Sequence, residues 1–517
     1  MTNTTASGPK QLVTQRQIYW ILASLMATML LSSLDQMIFS TALPTIVGDL
    51  GGVDHMMWVA TAYLLAETVV MPIYGKLGDI IGRKSLFIFA ISVFLVGSII
   101  GGLATNMGIL ILARAVQGLG AGGSMLLSQA IIADVVSARE RGRYMGIMGG
   151  VFGLSSVLGP TLGGYFTEGP GWRWAFWLNL PVGVIAIAIA LWQMRLPKRE
   201  RQPLQWDYLG TVFSIISAGS LVLACSWGGN RYAWTSTEIL SLFAVFVVTA
   251  IILVIVELRA KNPLIPMNFF ANRNFTLTTI GGLIIGIVMF GLIGYLPTYM
   301  QMVHGISATE AGYMMIPMMV GMLGCSILVG RRITATGNYK RYPLIGIVLV
   351  IIATLLLHTL HVSTPLWQLG VYFFIIGLGL GCCMQVLVLI VQNSLPLSVV
   401  GSATAVNNFF RQIGGSIGSA LVGGLFVGNL TRLLEERMPA ELAAQAGGIK
   451  ENSLTPALVN HLPDQVREII ITAYNDALTP TFLYLVPLGI IALILFAFIT
   501  QTKLRETVTD EPAPAAE

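Results

Sequence analysis

Charge is what this 517-residue chain has least of: Asp, Glu, Lys and Arg together make up 10% of it. A water-soluble domain carries about 25%. A globule of this length could not cover itself in water with so few charges, so a soluble enzyme and a nucleic-acid-binding module are both excluded. Cysteine is almost as scarce. Cys225, Cys325, Cys382 and Cys383 all sit in apolar stretches, which excludes a disulfide scaffold and suits reduced core residues. The sequence has no HExxH or CxxC cluster, no GxxxxGK[ST] phosphate loop and no recognisable nucleophile–base pair. Metal, cofactor, ATP-driven pumping and enzymatic activity are therefore not expected. Composition also excludes disorder and a collagen-like repeat.

What is there is hydrophobic. Apolar residues make up 55% of the chain, and a membrane-spanning helix needs about 20 of them. Apolar runs centre on 18–43, 57–77, 85–104, 107–131, 144–167, 174–194, 209–227, 239–258, 275–299, 308–329, 342–360, 366–391, 403–428 and 479–500, which makes fourteen spans. The expected fold class is thus an all-α polytopic membrane protein. The first run is too long for the apolar core of a leader peptide and has no small-residue cleavage site, so it reads as a span. Gly-rich spans fit this picture, because small residues let helices approach closely in lipid.

The 29 Lys and Arg set the orientation. With the N-terminus in the cytoplasm, 21 fall in inner segments and 6 in outer ones, while Arg114 and Arg411 fall inside spans. This bias places both termini in the cytoplasm. The net charge of +5 carries no nucleic-acid implication. All five histidines (His55, His304, His358, His361 and His461) lie on the outer side and read as loop residues. One long polar segment, 429–478, holds LLEERMPAELAAQ and DQVREIIITAYNDAL. Both have helical periodicity, and the segment reads as a small outer cap. The terminal TDEPAPAAE is disordered by composition.

The halves repeat weakly. Leu43-Pro44-Thr45 recurs as Leu296-Pro297-Thr298, and Gly75/Gly82 as Gly330/Gly337. Gly118-Leu119-Gly120 with Gly122 recurs as Gly377-Leu378-Gly379 with Gly381, and Gly163-Gly164 with Phe166 as Gly423-Gly424 with Phe426. The offset drifts only from 253 to 260. Spans 1–6 therefore pair with spans 9–14, giving two six-helix bundles with pseudo-twofold symmetry, and spans 7 and 8 are two extra central helices. The expected organisation is a tail (1–17), a bundle (18–200), an inserted pair (201–262), a second bundle with the outer segment (263–500) and a tail (501–517). Such a pair of bundles suits alternating access around a midplane site.

Of 24 acidic residues, only Asp35 in span 1 and Glu67 in span 2 sit well inside spans. Ionisable groups at that depth are costly and mark ion or substrate pathways. They are candidates for accepting protons outside and releasing them inside in competition with a cationic substrate. The alternative for each is a structural acid paired with Arg114 or a hydroxyl.

Four stretches resemble a known family. Gly75-Lys76-Leu77-Gly78-Asp79-Ile80-Ile81-Gly82-Arg83-Lys84 resembles the cytoplasmic loop signature of the major facilitator superfamily. Its glycines permit a tight turn and close contact, and Asp79 can pair with Arg83 to latch the halves. The repeat has Thr334 where Asp79 stands. Arg114-Ala115-Val116-Gln117-Gly118 resembles the superfamily's span-4 motif, which is linked to proton transfer. Gly146, Ser155, Gly159-Pro160 and Gly163-Gly164 in span 5 resemble its antiporter motif, with Ser155 where Gly is usual. Proline and glycine would let this helix pivot against span 8 or its equivalent. Leu34-Asp35 through Leu43-Pro44 is similar to the span-1 motif of the fourteen-span drug:proton antiporters, though that motif usually has Thr and Asn where Met37 and Ser40 stand.

The resemblance, spanning roughly residues 15–500, implies a proton-coupled antiporter. Its substrates would be amphipathic, often cationic drugs, exported across a bacterial plasma membrane. It would work with protons and lipid as partners, without a cofactor, and as a monomer. The alternative on the same fold is a dedicated exporter of one endogenous metabolite, lipid or antibiotic. Asp134 and Arg139 flank the inner end of span 4 and are expected to stabilise the gate beside Asp79. Arg411 in span 13 also resembles a family position, with a carbonyl or lipid phosphate as its alternative partner. Trp58, Tyr63, Phe152, Tyr295 and Tyr299 are candidate walls of a substrate cavity.

Overall fold

A backbone in hydrocarbon must satisfy every N–H and C=O internally, so an apolar chain of this kind can only be helical. The computed structural model describes residues 14–50, 55–194, 196, 205–229, 231–438, 459 and 462–506. Among these, fourteen helices are long and apolar enough to cross a membrane. They are span 1 (Gln15–Phe39), span 2 (Met56–Ile81), span 3 (Arg83–Gly102), span 4 (Met107–Val135), span 5 (Ala138–Glu168), span 6 (Trp174–Gln193), span 7 (Tyr208–Trp227), span 8 (Thr237–Arg259), span 9 (Arg273–Val303), span 10 (Thr309–Thr336), span 11 (Arg341–His358), span 12 (Leu366–Ser394), span 13 (Leu397–Arg437) and span 14 (Asp464–Ala497). The only non-helical pairing among the described residues is an isolated bridge between Gly228 and Tyr232.

The packing repeats as the sequence does. Span 1 lies on span 5 as span 9 lies on span 13, and span 4 packs on spans 2 and 3 as span 12 packs on spans 10 and 11. The two bundles meet along two seams, span 5 on span 10 and span 2 on span 13, a pair that a twofold rotation exchanges. Spans 7 and 8, central in the chain, stand at the side. Span 7 leans on spans 2 and 13, while span 8 presents Leu240, Val247, Ile251 and Leu258 outward. Span 5 therefore packs against span 10, the repeat's equivalent partner, and not against span 8.

Two boundaries differ from the sequence reading. The span-1 helix continues to Leu50. The span-13 helix runs unbroken from Val400 to Arg437, roughly 57 Å at 1.5 Å per residue, so it projects well beyond a hydrocarbon core of about 30 Å. Much of the outer segment is thus an extension of spans. Asp464–Leu478, the DQVREIIITAYNDAL stretch, is a helix packed along span 13, with Arg437 bonded to Asp476 at 2.7 Å. Leu433–Arg437 belongs to span 13, Met438 follows it, and the remaining residues of LLEERMPAELAAQ, 439–445, lie outside the described residues.

Glycine sets the distance between the bundles. A Cβ at Gly330 would fall on the carbonyl oxygen of Gly142, one at Gly146 on that of Ser326, and one at Gly75 on Ala405. Gly324, on the same helix as Gly330, has nothing within 4 Å of such a Cβ. Gly330→Val should therefore force spans 5 and 10 apart, at the roughly 1–3 kcal/mol typical of overpacking. In detergent its thermal unfolding midpoint should fall, while that of Gly324→Val stays near wild type. Equal midpoints would contradict the packing described.

Candidate functional site

Asp35 and Arg114 of the first bundle meet in one buried polar cluster. Asp35, on span 1, is ion-paired with Arg114 of span 4. Its other carboxylate oxygen accepts from Gln117 Nε2 at 3.0 Å and from Asn179 Nδ2 at 2.9 Å. Gln117 and Asn179 also donate to Ser98 Oγ, at 2.9 and 3.2 Å. The Arg114 guanidinium lies between two rings, 4.3 Å from the centre of Phe39 and 4.2 Å from that of Tyr63. Asp35 and Arg114 are 1% and 2% exposed. Pairing, hydrogen bonding and cation–π contact together offset the cost of burying these charges.

Asp35 is thus paired with Arg114 in the state seen here, and Tyr63, expected as a cavity wall, is a member of this cluster. The Tyr63 hydroxyl donates to the Ser32 carbonyl at 3.1 Å. Gln117 and Asn179 were not foreseen as carboxylate donors. The signal was available for Gln117, one helical turn beyond Arg114 in an otherwise apolar span. Ser155 of the span-5 motif joins from the side, hydrogen-bonded to Ser33 at 2.7 Å, so the hydroxyl that replaces glycine ties span 5 to span 1. In the same motif Gly159 packs on Met37, Pro160 on Gly312, and Gly164 lies 3.6 Å from Thr309 by its would-be Cβ. Thr167 Oγ1 donates to the Gly163 carbonyl at 2.9 Å.

Glu67 faces the other bundle. It is 5% exposed and accepts one long hydrogen bond, 3.4 Å, from Gln412 Nε2 of span 13. Arg114 on its own side and Arg411 on the facing side both act on it electrostatically.

The ends differ. One end carries Asp79, Arg83, Asp134 and Arg139 and may be termed the basic end. Among the described residues, every hydrogen bond between the bundles lies there, except that of Glu67. Asp79 is the centre. Its oxygens accept from the backbone N–H of Gly401 (3.1 Å) and of Ser402 (2.7 Å), and from Ser402 Oγ (2.9 Å). It therefore caps the N-terminal end of span 13, where unsatisfied N–H groups and the helix dipole favour an anion. Arg83 holds Asp79 at 2.7 Å and Asp134 at 2.8 Å and donates to the Ala130 carbonyl at 2.6 Å. Gly82 makes the turn between spans 2 and 3 with φ +98°, a conformation glycine adopts freely. Lys84 reaches the Leu191 carbonyl at 2.9 Å, inside its own bundle.

The other seam is closed with opposite polarity. Arg139, opening span 5, donates to the carbonyls of Thr334 (3.1 Å) and Ala335 (3.4 Å) at the last turn of span 10, and pairs with Glu506. Thr334 carries no acid, and here the negative end of the span-10 helix itself meets Arg139. Gln129 completes the closure, receiving Asn408 Nδ2 at 2.7 Å and, through its carbonyl, Gln392 Nε2 at 3.1 Å. Nothing in the sequence singled out Gln129.

The aromatic candidates separate. Trp58 is partly buried against Trp227, ring centres 5.1 Å apart. Tyr295 donates to the Ser419 carbonyl at 2.9 Å. Tyr299 is 1% exposed and donates to Asn475 at 2.7 Å, so it is a packing residue under the outer helix and not a cavity wall. The Phe152 side chain lies outside the described residues.

Two six-helix bundles with a buried ion pair in one of them and helix-terminus contacts closing one end define a transporter fold. Residues 25–419 match the Major Facilitator Superfamily model, and the chain belongs to that family. It is 37% identical over 510 residues to an MFS-type transporter of Mycobacterium tuberculosis, covering 98% of this chain and 72% of that one. It is 36% identical over 471 residues to the multidrug transporter protein MdtP of Bacillus subtilis, covering 89% and 86%. The crystal structure of the human organic anion transporter MFSD10 superposes with a TM-score of 0.62 at 13% identity, over 95% of this chain and 100% of that one, which establishes a shared fold.

Asp79→Asn should loosen the closed end. It keeps one acceptor for the span-13 N–H groups but loses the charge that Arg83 and the helix terminus engage. A loss of about 1–3 kcal/mol, the weight of charge-assisted hydrogen bonds, raises the open population about five-fold or more. Spin labels at Ile81 and Arg331, exposed positions on opposite bundles, should show a longer-distance population in the variant. An unchanged distribution would remove Asp79 from the latch.

Proposed function

We propose that this chain is a proton-coupled antiporter that exports amphipathic, often cationic compounds across the plasma membrane by alternating access. In this reading both termini and the basic end face the cytoplasm, no cofactor takes part, and a monomer suffices. The observation that carries it is Asp35, a membrane-buried carboxylate held by Arg114, Gln117 and Asn179. A buried charge is costly in hydrocarbon and is tolerated where it serves transport. The similarity to a protein named as a multidrug transporter supports the substrate class, and the concentration of Lys and Arg on one side supports the orientation.

In the cycle, the closed basic end corresponds to a conformation open to the outside. A proton arriving there neutralises a carboxylate of the cluster, releases Arg114 and its neighbours to repair, and shifts the balance between closures. Glu67, bonded across the seam to Gln412, senses the same event from the facing bundle. Release of the proton inside restores the anion as the exported compound leaves.

The test is drug-induced proton movement in everted vesicles, with a pH gradient followed by a dye while ethidium is added. Wild type should show dequenching, Asp35→Asn should show none, and Glu67→Gln should lower it several-fold. Wild-type exchange in Asp35→Asn would overturn the assignment of that residue. A silent wild type across a panel of cations would favour the dedicated-exporter reading.

A further inference from the structure

Arg411 is a buried cation without a partner. It sits in span 13, 7% exposed, and among the described residues no hydrogen bond, ion pair or ring contact reaches its guanidinium. Every other deeply buried arginine is engaged. Arg83 holds two carboxylates, Arg114 holds Asp35, and Arg141 donates to the carbonyls of Val136 and Ala133 at 3.0 and 2.8 Å. None of the Arg411 nitrogens is among the sealed, unsatisfied atoms of the structure, so they border open space rather than packed apolar atoms. Across the seam stands Glu67, 5% exposed, whose one hydrogen bond comes from Gln412, the neighbour of Arg411, at 3.4 Å. The two charges stand on the facing helices of that seam, span 2 and span 13.

We infer that Glu67 and Arg411 are the two poles of a substrate site, and that its preferred ligand is a zwitterionic amphiphile. Its ammonium would lie at Glu67 and its carboxylate at Arg411. This rests on the reading of the chain as an exporter and names the substrate class more narrowly. The reason is charge balance. A plain cation bound at Glu67 would leave the Arg411 guanidinium unpaired and repelling it. A zwitterion engages both poles and buries no net charge, so each group meets its complement as the other does. Because the poles belong to different bundles, such a ligand also bridges the seam that must part during transport, and Gln412 is released from Glu67 as the ammonium arrives.

The experiment uses the full-length protein in detergent, with binding followed by intrinsic tryptophan quenching. The probes are norfloxacin as the zwitterion, its methyl ester, which keeps the ammonium and loses the carboxylate, and ethidium. Wild type should bind the zwitterion about ten-fold or more tightly than the ester, the weight of one charge-assisted hydrogen-bonding contact. Arg411→Gln should erase that difference by weakening the zwitterion, while ester and ethidium bind no less tightly than in wild type, because the guanidinium that repels them is gone. Arg411→Lys, which keeps the charge, should retain part of the preference. Glu67→Gln should weaken all three. Equal wild-type affinity for zwitterion and ester would overturn the inference, as would an Arg411→Gln variant that weakens all three probes equally while Arg411→Lys does the same. Ethidium binding without a zwitterion preference would defeat this inference alone. No binding of any cationic probe would defeat the exporter reading itself.

Discussion

In hydrocarbon neither a charge nor a backbone amide has water to fall back on, and the rest of this structure follows from that constraint. It makes the chain helical, and it forces the helices to approach through glycine, where Gly330 meets Gly142 and Gly75 meets Ala405. It also confines charge to places where another group answers it. Three such places exist along one helix. Tyr63, Glu67, Gly75 and Asp79 fall on a single i, i+4 ridge of span 2, which slants across the helix surface as such ridges do. At its deep end Tyr63 covers Arg114 and belongs to the first bundle. At its middle Glu67 touches Gln412, and at its basic end Asp79 caps span 13. One ridge thus joins the buried ion pair to the closure between the bundles.

The two seams show how a pseudo-symmetric fold distributes the same task over different residues. At one, an acid on the end of span 2 meets the N-terminus of span 13. At the other, an arginine on the start of span 5 meets the C-terminus of span 10. Both contacts pair a side-chain charge with the opposite end of a helix dipole. Strict sequence symmetry would demand an acid at Thr334. The physics demands only that each helix end meet its complement, and Arg139 supplies it. The acid absent from the second copy is therefore not a lost latch but a latch built from the other partner.

Much of this was legible in the sequence because lipid leaves few options. Fourteen apolar runs could only be fourteen helices, and the glycine offsets marked which spans correspond. Asp35, Arg114 and Asp79 stood out because charge is rare in such a chain. Polar but uncharged residues did not stand out. Gln117, Asn179, Gln129 and Gln412 hold the carboxylates or close the seam, yet an amide in an apolar span looks the same whether it faces a partner, a neighbour's carbonyl or lipid. Long-range facing also escaped. Tyr299 and Tyr63 carry the same side chain, but one lies under the outer helix and the other over a guanidinium. The extent of span 13 beyond the membrane was hidden because polar residues such as Arg432 and Glu436 continue a helix without continuing its hydrophobicity.

Asp35 and Glu67, both buried, differ in a way that bears on their proposed roles. Asp35 is saturated: an arginine and two amides converge on it, all from its own bundle. Changing its charge disturbs contacts inside one bundle. Glu67 has one long bond, and that bond comes from the opposite bundle. Changing its charge acts directly on the surface along which the bundles separate. A transporter needs both kinds of group. In the proposed cycle a proton at Asp35 would break contacts inside one bundle, whereas one at Glu67 would act on its one bond to the other bundle. Arg411 stands on the far side of the same seam, next to Gln412, and in the proposed site it gives that seam its second pole.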